Sequence, residues 1–446
     1  MKKVITYGTF DMLHEGHINL LRRAKELGDY LIVGVTSERY DRERGKLNVR
    51  DSLLTRIEAV RQTNFVDEVI IEDYVGQKID DIQKYGIDTF VIGSDWVGKF
   101  DYLQEYCKVV YLERTKGISS TQLRNECQKI YNIGIIGSGR IANRFVPESK
   151  YVSGVNVIGV YNPKIESARV FAETHTLMLA SDNFTDFLSK VDAVYIASPH
   201  ISHYEYAKKA ILAQKHVLCE KPLVLKVDQI MELYQLAEEN NVVLLEAVKT
   251  AYCPGFIHLI SLVKSGTIGT IKDVEATFTK LVPETSRELS DKFSGGSMTE
   301  LSSYVLLPIL KIFGDNYKSL QFYSYYNQGV DLFTKGVMEY PNGTASFKVG
   351  LGVKSEGCLI ISGTKGYAYV PAPWWKTDYF ELRFEDMSQN RKYYYRFDGD
   401  GLRYELEEFI SLIANYQKES YRLSQKESIE IARIIEKFRN ENKIDL

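Results

Sequence analysis

No stretch of this chain approaches the about 20 consecutive apolar residues that a membrane-spanning helix needs. The apolar run after the basic start, Met1-Lys2-Lys3, ends within a few residues, too soon for a signal peptide. Cysteine is sparse. The five (Cys107, Cys127, Cys219, Cys253, Cys358) are scattered, with none of the paired spacings of a zinc site, and an odd number argues against a disulfide framework. An excess of one charge is also missing: 56 Lys and Arg against 59 Asp and Glu leave −3, so no basic field invites nucleic acid or an anionic membrane. There is no solenoid-length repeat and no low-complexity tract. These absences point to a cytoplasmic chain with small-molecule partners and no nucleic-acid or membrane partner.

The hydrophobic share of 44% and charged share of 26% are those of an ordinary soluble globular protein. With 446 residues, the length prior is three domains of about 150 residues each. The 31 tyrosines read as half-exposed sheet positions.

Residues 3–7 are a short apolar strand, Gly8-Thr9-Phe10-Asp11 turns, and residues 17–27 carry helical periodicity ended by Gly28. Continuous apolar runs at 30–35, 69–71, 89–92 and 108–112 alternate with helical segments, which implies a parallel sheet covered on both faces. Ligands of such sheets sit beyond the carboxyl ends of the strands. His14-Glu15-Gly16-His17 lies there, on a turn that feeds a helix. Two imidazoles three residues apart fall on one side of the first helical turn, whose free N–H groups suit a phosphate.

Gly8 to His17 resembles the His-x-Gly-His signature of the nucleotidylyltransferase superfamily. Arg114-Thr115-Lys116-Gly117-Ile118-Ser119-Ser120-Thr121 resembles its closing motif, and Val66 to Val69 and Gly93 to Phe100 also fit. Over this whole first part the chain is similar to the glycerol-3-phosphate cytidylyltransferase family. The resemblance implies attack by a substrate phosphate on the α-phosphate of CTP with loss of pyrophosphate, catalysed by positioning and charge stabilisation. It implies that Gly8, Thr9, Phe10, Asp11, Gly16, Asp95, Trp96, Gly117, Ile118, Ser119, Ser120 and Thr121 bind CTP. His14, His17, Lys46 and Arg114 act on the phosphates, with Mg²⁺ bridging phosphate oxygens and few protein ligands. The family's lysine-rich loop is here Arg39-Tyr40-Asp41-Arg42-Glu43-Arg44-Gly45-Lys46. Two accounts stand: Lys46 reaches the transferring phosphate and Arg42 or Arg44 the acceptor, or Asp41 and Glu43 pair with those arginines on a solvated face.

Residues 131–136 form a second opening strand, and Gly137-Ser138-Gly139-Arg140-Ile141-Ala142 starts a helix, with the next strand at 155–160. This spacing is that of a dinucleotide-binding turn: Gly137 for the turn, Gly139 for the pyrophosphate approach, Ala142 for helix–strand packing. At the end of the second strand, where an acid would select NAD and an arginine NADP, stand Asn162, Pro163 and Lys164, which leaves NAD(P) undivided.

Ser198-Pro199-His200 after a further strand, and Glu220-Lys221-Pro222 after the next, resemble the Gfo/Idh/MocA oxidoreductases. The match runs from Tyr131 onward and includes Gly401-Leu402-Arg403-Tyr404-Glu405. It implies an α+β open-sheet substrate domain, with strands near 272–279, 346–353 and 393–397 and helices over 402–414 and 427–438. By position in the family, Gly137, Ser138, Gly139, Arg140, Ile141, Asn162, Ser198, Pro199, His200, His203 and Glu220 hold the cofactor, with His200 and His203 near the nicotinamide. Lys221 and Tyr304 are the catalytic pair. Tyr304 stands in Glu300-Leu301-Ser302-Ser303-Tyr304, which replaces the family's Asp-x-Gly-x-(His or Tyr), and Lys221 is expected to lower its proton affinity. Lys249, Tyr252 and Trp375 line the substrate pocket, or else pack and face solvent.

The expected fold class is thus α/β: a Rossmann-like nucleotidylyltransferase domain (1–128), a Rossmann NAD(P)-binding domain (129–248) and an α+β substrate and oligomerisation domain (249–446). A homo-oligomer is implied by resemblance only. The join at 122–130 has good helix formers and neither Gly nor Pro, so a short, rigid junction is expected. Functionally, the fusion suggests reduction of a keto- or aldo-phosphate followed by cytidylyl transfer, giving a CDP-alditol for cell-surface polymers. The alternatives are an oxidoreductase acting on an unrelated sugar, or one serving only as a binding module.

Overall fold

The strand β1 (Lys3–Gly8) is buried from Val4 to Tyr7, as a strand must be when helices cover both faces of its sheet. Its side chains alternate between two cores. Val4 joins Leu21, Val33 and Val60 on one face, while Ile5 joins Ile32, Ile82 and Phe90 on the other. The computed structural model describes residues 1–43, 49, 51–74, 76–113, 130–440 and 444–445. They fall into two compact units, Met1–Lys129 and Ile130–Leu446.

In the first unit β1 pairs in parallel with β2 (Tyr30–Thr36) and β4 (Thr89–Gly93), and β3 (Glu68–Glu72) and β5 (Lys108–Leu112) complete the order β3-β2-β1-β4-β5. The chain reverses its lateral direction at β1, so the crevice beyond β1 and β4 is the topological switch point where such sheets take ligands. Helix α1 (Glu15–Lys25) begins there.

The second unit repeats the plan. Strands β6 (Tyr131–Ile136), β7 (Val155–Tyr161), β8 (Leu179–Ser181), β9 (Ala193–Ile196), β10 (His216–Glu220) and β11 (Leu244–Ala247) form a parallel sheet, order β11-β10-β9-β6-β7-β8. Its switch point lies at β6, where Gly137 to Gly139 lead into helix α2 (Arg140–Ser149).

The chain then builds a mixed nine-stranded sheet. Its strands are β12 (Ile271–Thr279), β13 (Ser319–Asn327), β14 (Val330–Tyr340), β15 (Gly343–Gly350), β16 (Leu359–Gly363), β17 (Gly366–Val370), β18 (Tyr379–Phe384), β19 (Arg391–Tyr394) and β20 (Ile444–Asp445), ordered β19-β18-β17-β16-β12-β15-β14-β13-β20. The strand expected over 393–397 instead spans Arg391–Tyr394, and the Tyr395 amide adds one more bond to the Asp378 carbonyl at 2.7 Å.

Helix α3 (Ser297–Phe313) packs against β12, β14 and β15 on one side and α5 (Gln425–Asn440) on another. Fourteen of its 17 residues are buried, so its polar groups need partners. The Ser297 hydroxyl donates to the Asp331 carbonyl at 2.9 Å, and the Lys311 ammonium reaches Glu427 at 2.7 Å. Helix α4 (Leu402–Ala414) has no side-chain cap of its own. Glu148, from the far end of α2, supplies one, accepting from the amides of Asp400 and of Arg403 (3.1 Å). Gly399 makes room: its φ is +68°, and a Cβ there would lie 1.7 Å from a Glu148 oxygen. Among the described residues, no helix is long and apolar enough to cross a membrane.

Candidate active sites

In the first unit, the turn after β1 is tightly wound. Phe10 and Met12 both have positive φ (+53° and +48°), a conformation costly for side-chain-bearing residues and concentrated at functional sites. His14 is the N-cap of α1, its Nδ1 accepting from the Gly16 amide at 3.1 Å. His17 follows one turn on. The two imidazoles stack with centroids 3.9 Å apart, and the buried Phe10 ring meets His17 edge-on at 5.4 Å. The expected pair of phosphate donors is therefore assembled at a helix N-terminus.

Sequence reasoning missed what holds this turn. Arg56, fully buried, donates to the carbonyls of Thr9 (2.8 Å), Thr36 (2.9 Å) and Asp51 (3.1 Å), and pairs with Asp41 at 3.2 Å. Asp41, itself 1% exposed, also accepts from the hydroxyls of Thr9 (3.0 Å) and Thr36 (2.7 Å). The account of Asp41 on a solvated face is thus corrected: it anchors the carboxyl ends of β1 and β2 from inside. Asp11 accepts from the Asp51 amide at 3.0 Å, which closes the same ring of loops. Trp96, 40% exposed beyond β4, has the Lys99 ammonium over its ring at 5.1 Å. Arg44, Lys46, Arg114, Gly117, Ile118, Ser119, Ser120 and Thr121 lie outside the described residues, as do the side chains of Arg42 and Asp95 and the junction at 122–129.

In the second unit, Gly137 has φ +98°, and a Cβ there would lie 2.9 Å from the Ala197 carbonyl oxygen. Only glycine fits. Gly139 and Arg140 are exposed, Ala142 is fully buried, and α2 has no side-chain N-cap. Its first amides are thus open to a pyrophosphate, and the turn fits a dinucleotide. The Asn162 side chain donates to the Ser138 hydroxyl at 2.8 Å and accepts from the Lys164 amide, pinning the turn to the end of β7.

Beyond β10 the Lys221 ammonium donates to the Glu300 carbonyl at 2.8 Å, lies 3.7 Å from the Glu300 carboxylate, and sits 5.7 Å from the Tyr304 ring centroid. Tyr304 is half-buried, and its hydroxyl has no hydrogen-bond partner among the described residues. Its ring packs 5.2 Å from Phe278, which in turn stacks on Trp375 at 3.7 Å. The expected effect of Lys221 on Tyr304 is overturned. Burial, and after it the carboxylates of Glu220 and Glu405, push the hydroxyl's pKa well up. Lys221 sits over the ring and bonds Glu300. The Tyr304 hydroxyl therefore holds its proton.

Glu300 stands where the family's Asp is absent and acts as a hub. It pairs with Arg287 at 3.0 Å and approaches His200 at 3.8 Å. His200 also contacts the Ser294 carbonyl at 3.3 Å, and burial with the nearby Lys221 charge keeps its pKa well down, so it is a neutral imidazole here.

Other candidates prove internal. His203 is fully buried with its two ring nitrogens 2.9 Å from the carbonyls of Ser198 and Pro222, tying two loops together rather than facing a ring of the cofactor. Glu220 turns inward to accept from Tyr195 at 2.6 Å. Tyr252 is fully buried and bonds the Glu246 carbonyl at 2.8 Å, and Lys249 is held by the Asp400 carbonyl at 2.8 Å. Tyr252 therefore does not line a pocket as expected; both residues sit on the helix Lys249–Tyr252, which packs against α4.

An anion-ready histidine pair at one switch point and a dinucleotide turn with a lysine–tyrosine pair at another define a nucleotidylyltransferase fused to a dinucleotide-dependent oxidoreductase. Residues 5–126 match the cytidylyltransferase-like family. Residues 131–248 match the oxidoreductase family with an NAD-binding Rossmann fold, and residues 256–369 the GFO/IDH/MocA C-terminal domain. The chain belongs to the cytidylyltransferase-like family in its first unit and to the GFO/IDH/MocA oxidoreductases in its second. It is 55% identical over 126 residues to a glycerol-3-phosphate cytidylyltransferase of Bacillus spizizenii, covering 28% of this chain and 97% of that one. It is 27% identical over 322 residues to the trans-1,2-dihydrobenzene-1,2-diol dehydrogenase of Oryctolagus cuniculus, covering 68% of this chain and 96% of that one. In fold it is similar to the 3-ketoreductase KijD10 of Actinomadura kijaniata, solved with NADP and TDP-benzene. The TM-score is 0.63 at 19% identity, over 70% of this chain and 98% of that one. Both units are enzymes by family, and the second binds NAD(P).

Proposed function

We propose that the chain makes a CDP-alditol in two steps. The second unit reduces a keto- or aldo-phosphate to a polyol phosphate, and the first transfers a cytidylyl group to that phosphate. The observation that carries the reading is the partnerless hydroxyl of Tyr304 beside Lys221, a site built to deliver a proton to a carbonyl oxygen, on the same chain as a unit similar to enzymes that activate an alcohol phosphate.

Residues 137–141 would hold NAD(P)H, which would supply the hydride. Lys221 spends one ammonium proton on the Glu300 carbonyl and keeps the others for the substrate oxygen. Tyr304 gives its proton to that oxygen as the alkoxide forms. In the first unit a phosphate oxygen of the product attacks the α-phosphorus of CTP, and the bond to the β-phosphate oxygen breaks to release pyrophosphate. His14 and His17 donate to the phosphate oxygens as charge builds on phosphorus. Mg²⁺, which we assign to this step, would arrive with CTP and offset the charge of its triphosphate. Such products suit teichoic-acid-type or capsular polymers.

The test is incubation with CTP, Mg²⁺, NADH or NADPH and a panel of carbonyl phosphates, with detection of CDP-alditols by mass. Cofactor oxidation without a CDP-linked form of the reduced compound would sink the coupling. Cofactor binding without oxidation by any carbonyl substrate would favour a binding module.

A further inference from the structure

Lys280 follows β12 directly, two residues beyond Phe278, whose ring packs 5.2 Å from Tyr304, and alternate residues along an extended strand share a face. Its backbone amide bonds the Gly350 carbonyl at 2.9 Å, which fixes where the side chain starts. The side chain is half-buried, and its ammonium has no ion pair or hydrogen bond among the described residues. The charges that act on it lie on four elements. Arg140 lies at the start of α2 and Lys221 beyond β10. Glu300 belongs to α3 and Glu288 to the short helix Arg287–Ser290.

The two carboxylates are already committed. Glu288 pairs with Arg140 at 3.2 Å, and Glu300 is shared between Arg287 and Lys221. Burial, then Arg140 and Lys221, press the Lys280 pKa down. A half-buried ammonium among like charges, with no counter-charge of its own, is electrostatically incomplete until an anion arrives. A lysine is a compact point charge suited to a phosphate.

We propose that Lys280 is the substrate-phosphate residue of the reductase site. It would hold the phosphate of the keto- or aldo-phosphate while Lys221 and Tyr304 address the carbonyl, and so restrict the site to phosphorylated carbonyl compounds. This rests on the function proposed above and names the feature that would select its substrate. The competing occupant is the cofactor's own pyrophosphate, since Arg140 opens the dinucleotide turn.

The test uses the full chain. NAD(P)H oxidation is followed with dihydroxyacetone phosphate, pentulose 5-phosphates and their unphosphorylated counterparts, for the wild type, Lys280→Met and Lys280→Arg. Losing one charge-assisted phosphate contact should raise KM for the phosphorylated carbonyl about 10- to 100-fold, with kcat and the KM for NAD(P)H changed less than about twofold. Preference for the phosphorylated substrate should collapse in Lys280→Met and largely survive in Lys280→Arg. An unchanged KM overturns the proposal. So does a rise in KM for NAD(P)H instead, which would give Lys280 to the cofactor. Calorimetric titration of the NAD(P)-loaded chain with inorganic phosphate gives a reading that does not depend on turnover. One binding event must be lost in Lys280→Met at unchanged melting temperature, and equal titrations in the two proteins overturn the assignment. Failure of the wild type to reduce any carbonyl phosphate, with the phosphate site present, would instead overturn the proposed function.

Discussion

Arg56→Met should destabilise the first unit more than any single loss of a surface charge. The guanidinium makes four contacts within 3.2 Å, three to loop carbonyls and one to a carboxylate that is itself 1% exposed. Removing it leaves the Asp41 carboxylate buried without its guanidinium, and stranding one member of a buried pair costs about 3–5 kcal/mol. Against a typical total of about 5–15 kcal/mol, this is a large fraction. For a unit of this size it amounts to about 10 °C or more in melting temperature. Scanning calorimetry of the full chain reads the shift, and hydrogen exchange in β1 and β2 assigns it to the first unit. Asp41→Asn in the same background should recover part of the loss, because no naked charge then remains, so the double variant must be less destabilised than the sum of the singles. A loss below about 1 kcal/mol, or strict additivity, would refute the claim that this pair holds the phosphate-binding turn together.

Three further outcomes are expected. Glu246 is fully buried, accepts from the Leu223 amide at 3.0 Å, and burial pushes its pKa up to about 7. Its folded pKa lies above the unfolded one, so its contribution is fully present below about pH 4.5 and is lost as pH rises through 7. Glu246→Gln should therefore match the wild type in denaturant titrations at pH 4 and exceed it at pH 8 by about 2–3 kcal/mol, whereas a pH-independent difference would contradict the assignment. Gly137→Ala must adopt φ +98° with its Cβ 2.9 Å from the Ala197 carbonyl oxygen; NAD(P)H affinity measured by fluorescence should fall about tenfold or more, and unaltered affinity would refute the role of the turn. Tyr304→Phe should lower kcat for carbonyl reduction about 10²- to 10⁴-fold with NAD(P)H affinity intact, and a variant as fast as the wild type would remove Tyr304 from the chemistry.

The parts legible in the sequence were those whose function depends on backbone shape. The turns at 8–17 and 137–142 announce themselves because strand, glycine and helix start are contiguous, and both assemble as read. What stayed hidden depends on residues brought together from afar. Lys221 meets Glu300 across 79 positions, and Lys280 joins them from another strand, so no local spacing records the cluster. Arg56 was invisible for a different reason: an arginine in the helix Leu53–Gln62 reads as a solvated charge until the loops it braces are in place. His203 and Tyr252 erred in the opposite sense. Their nearness to motif residues suggested ligand contact, whereas full burial had already committed their polar atoms to backbone carbonyls. The sign of the Tyr304 shift followed the same logic, since burial outweighs one lysine placed over the ring face.

Glu148 gives the second unit a mechanical property. The helix whose first turn receives the dinucleotide ends in the carboxylate that terminates the amide row of α4, and a φ of +68° at Gly399 lets the two come together. One rod thus has the cofactor at its head and a clasp on the C-terminal helices at its foot. Parting α2 from the start of α4 would strip two backbone amides of their acceptor. Loading the cofactor at one end should therefore slow amide exchange in α4 at the other.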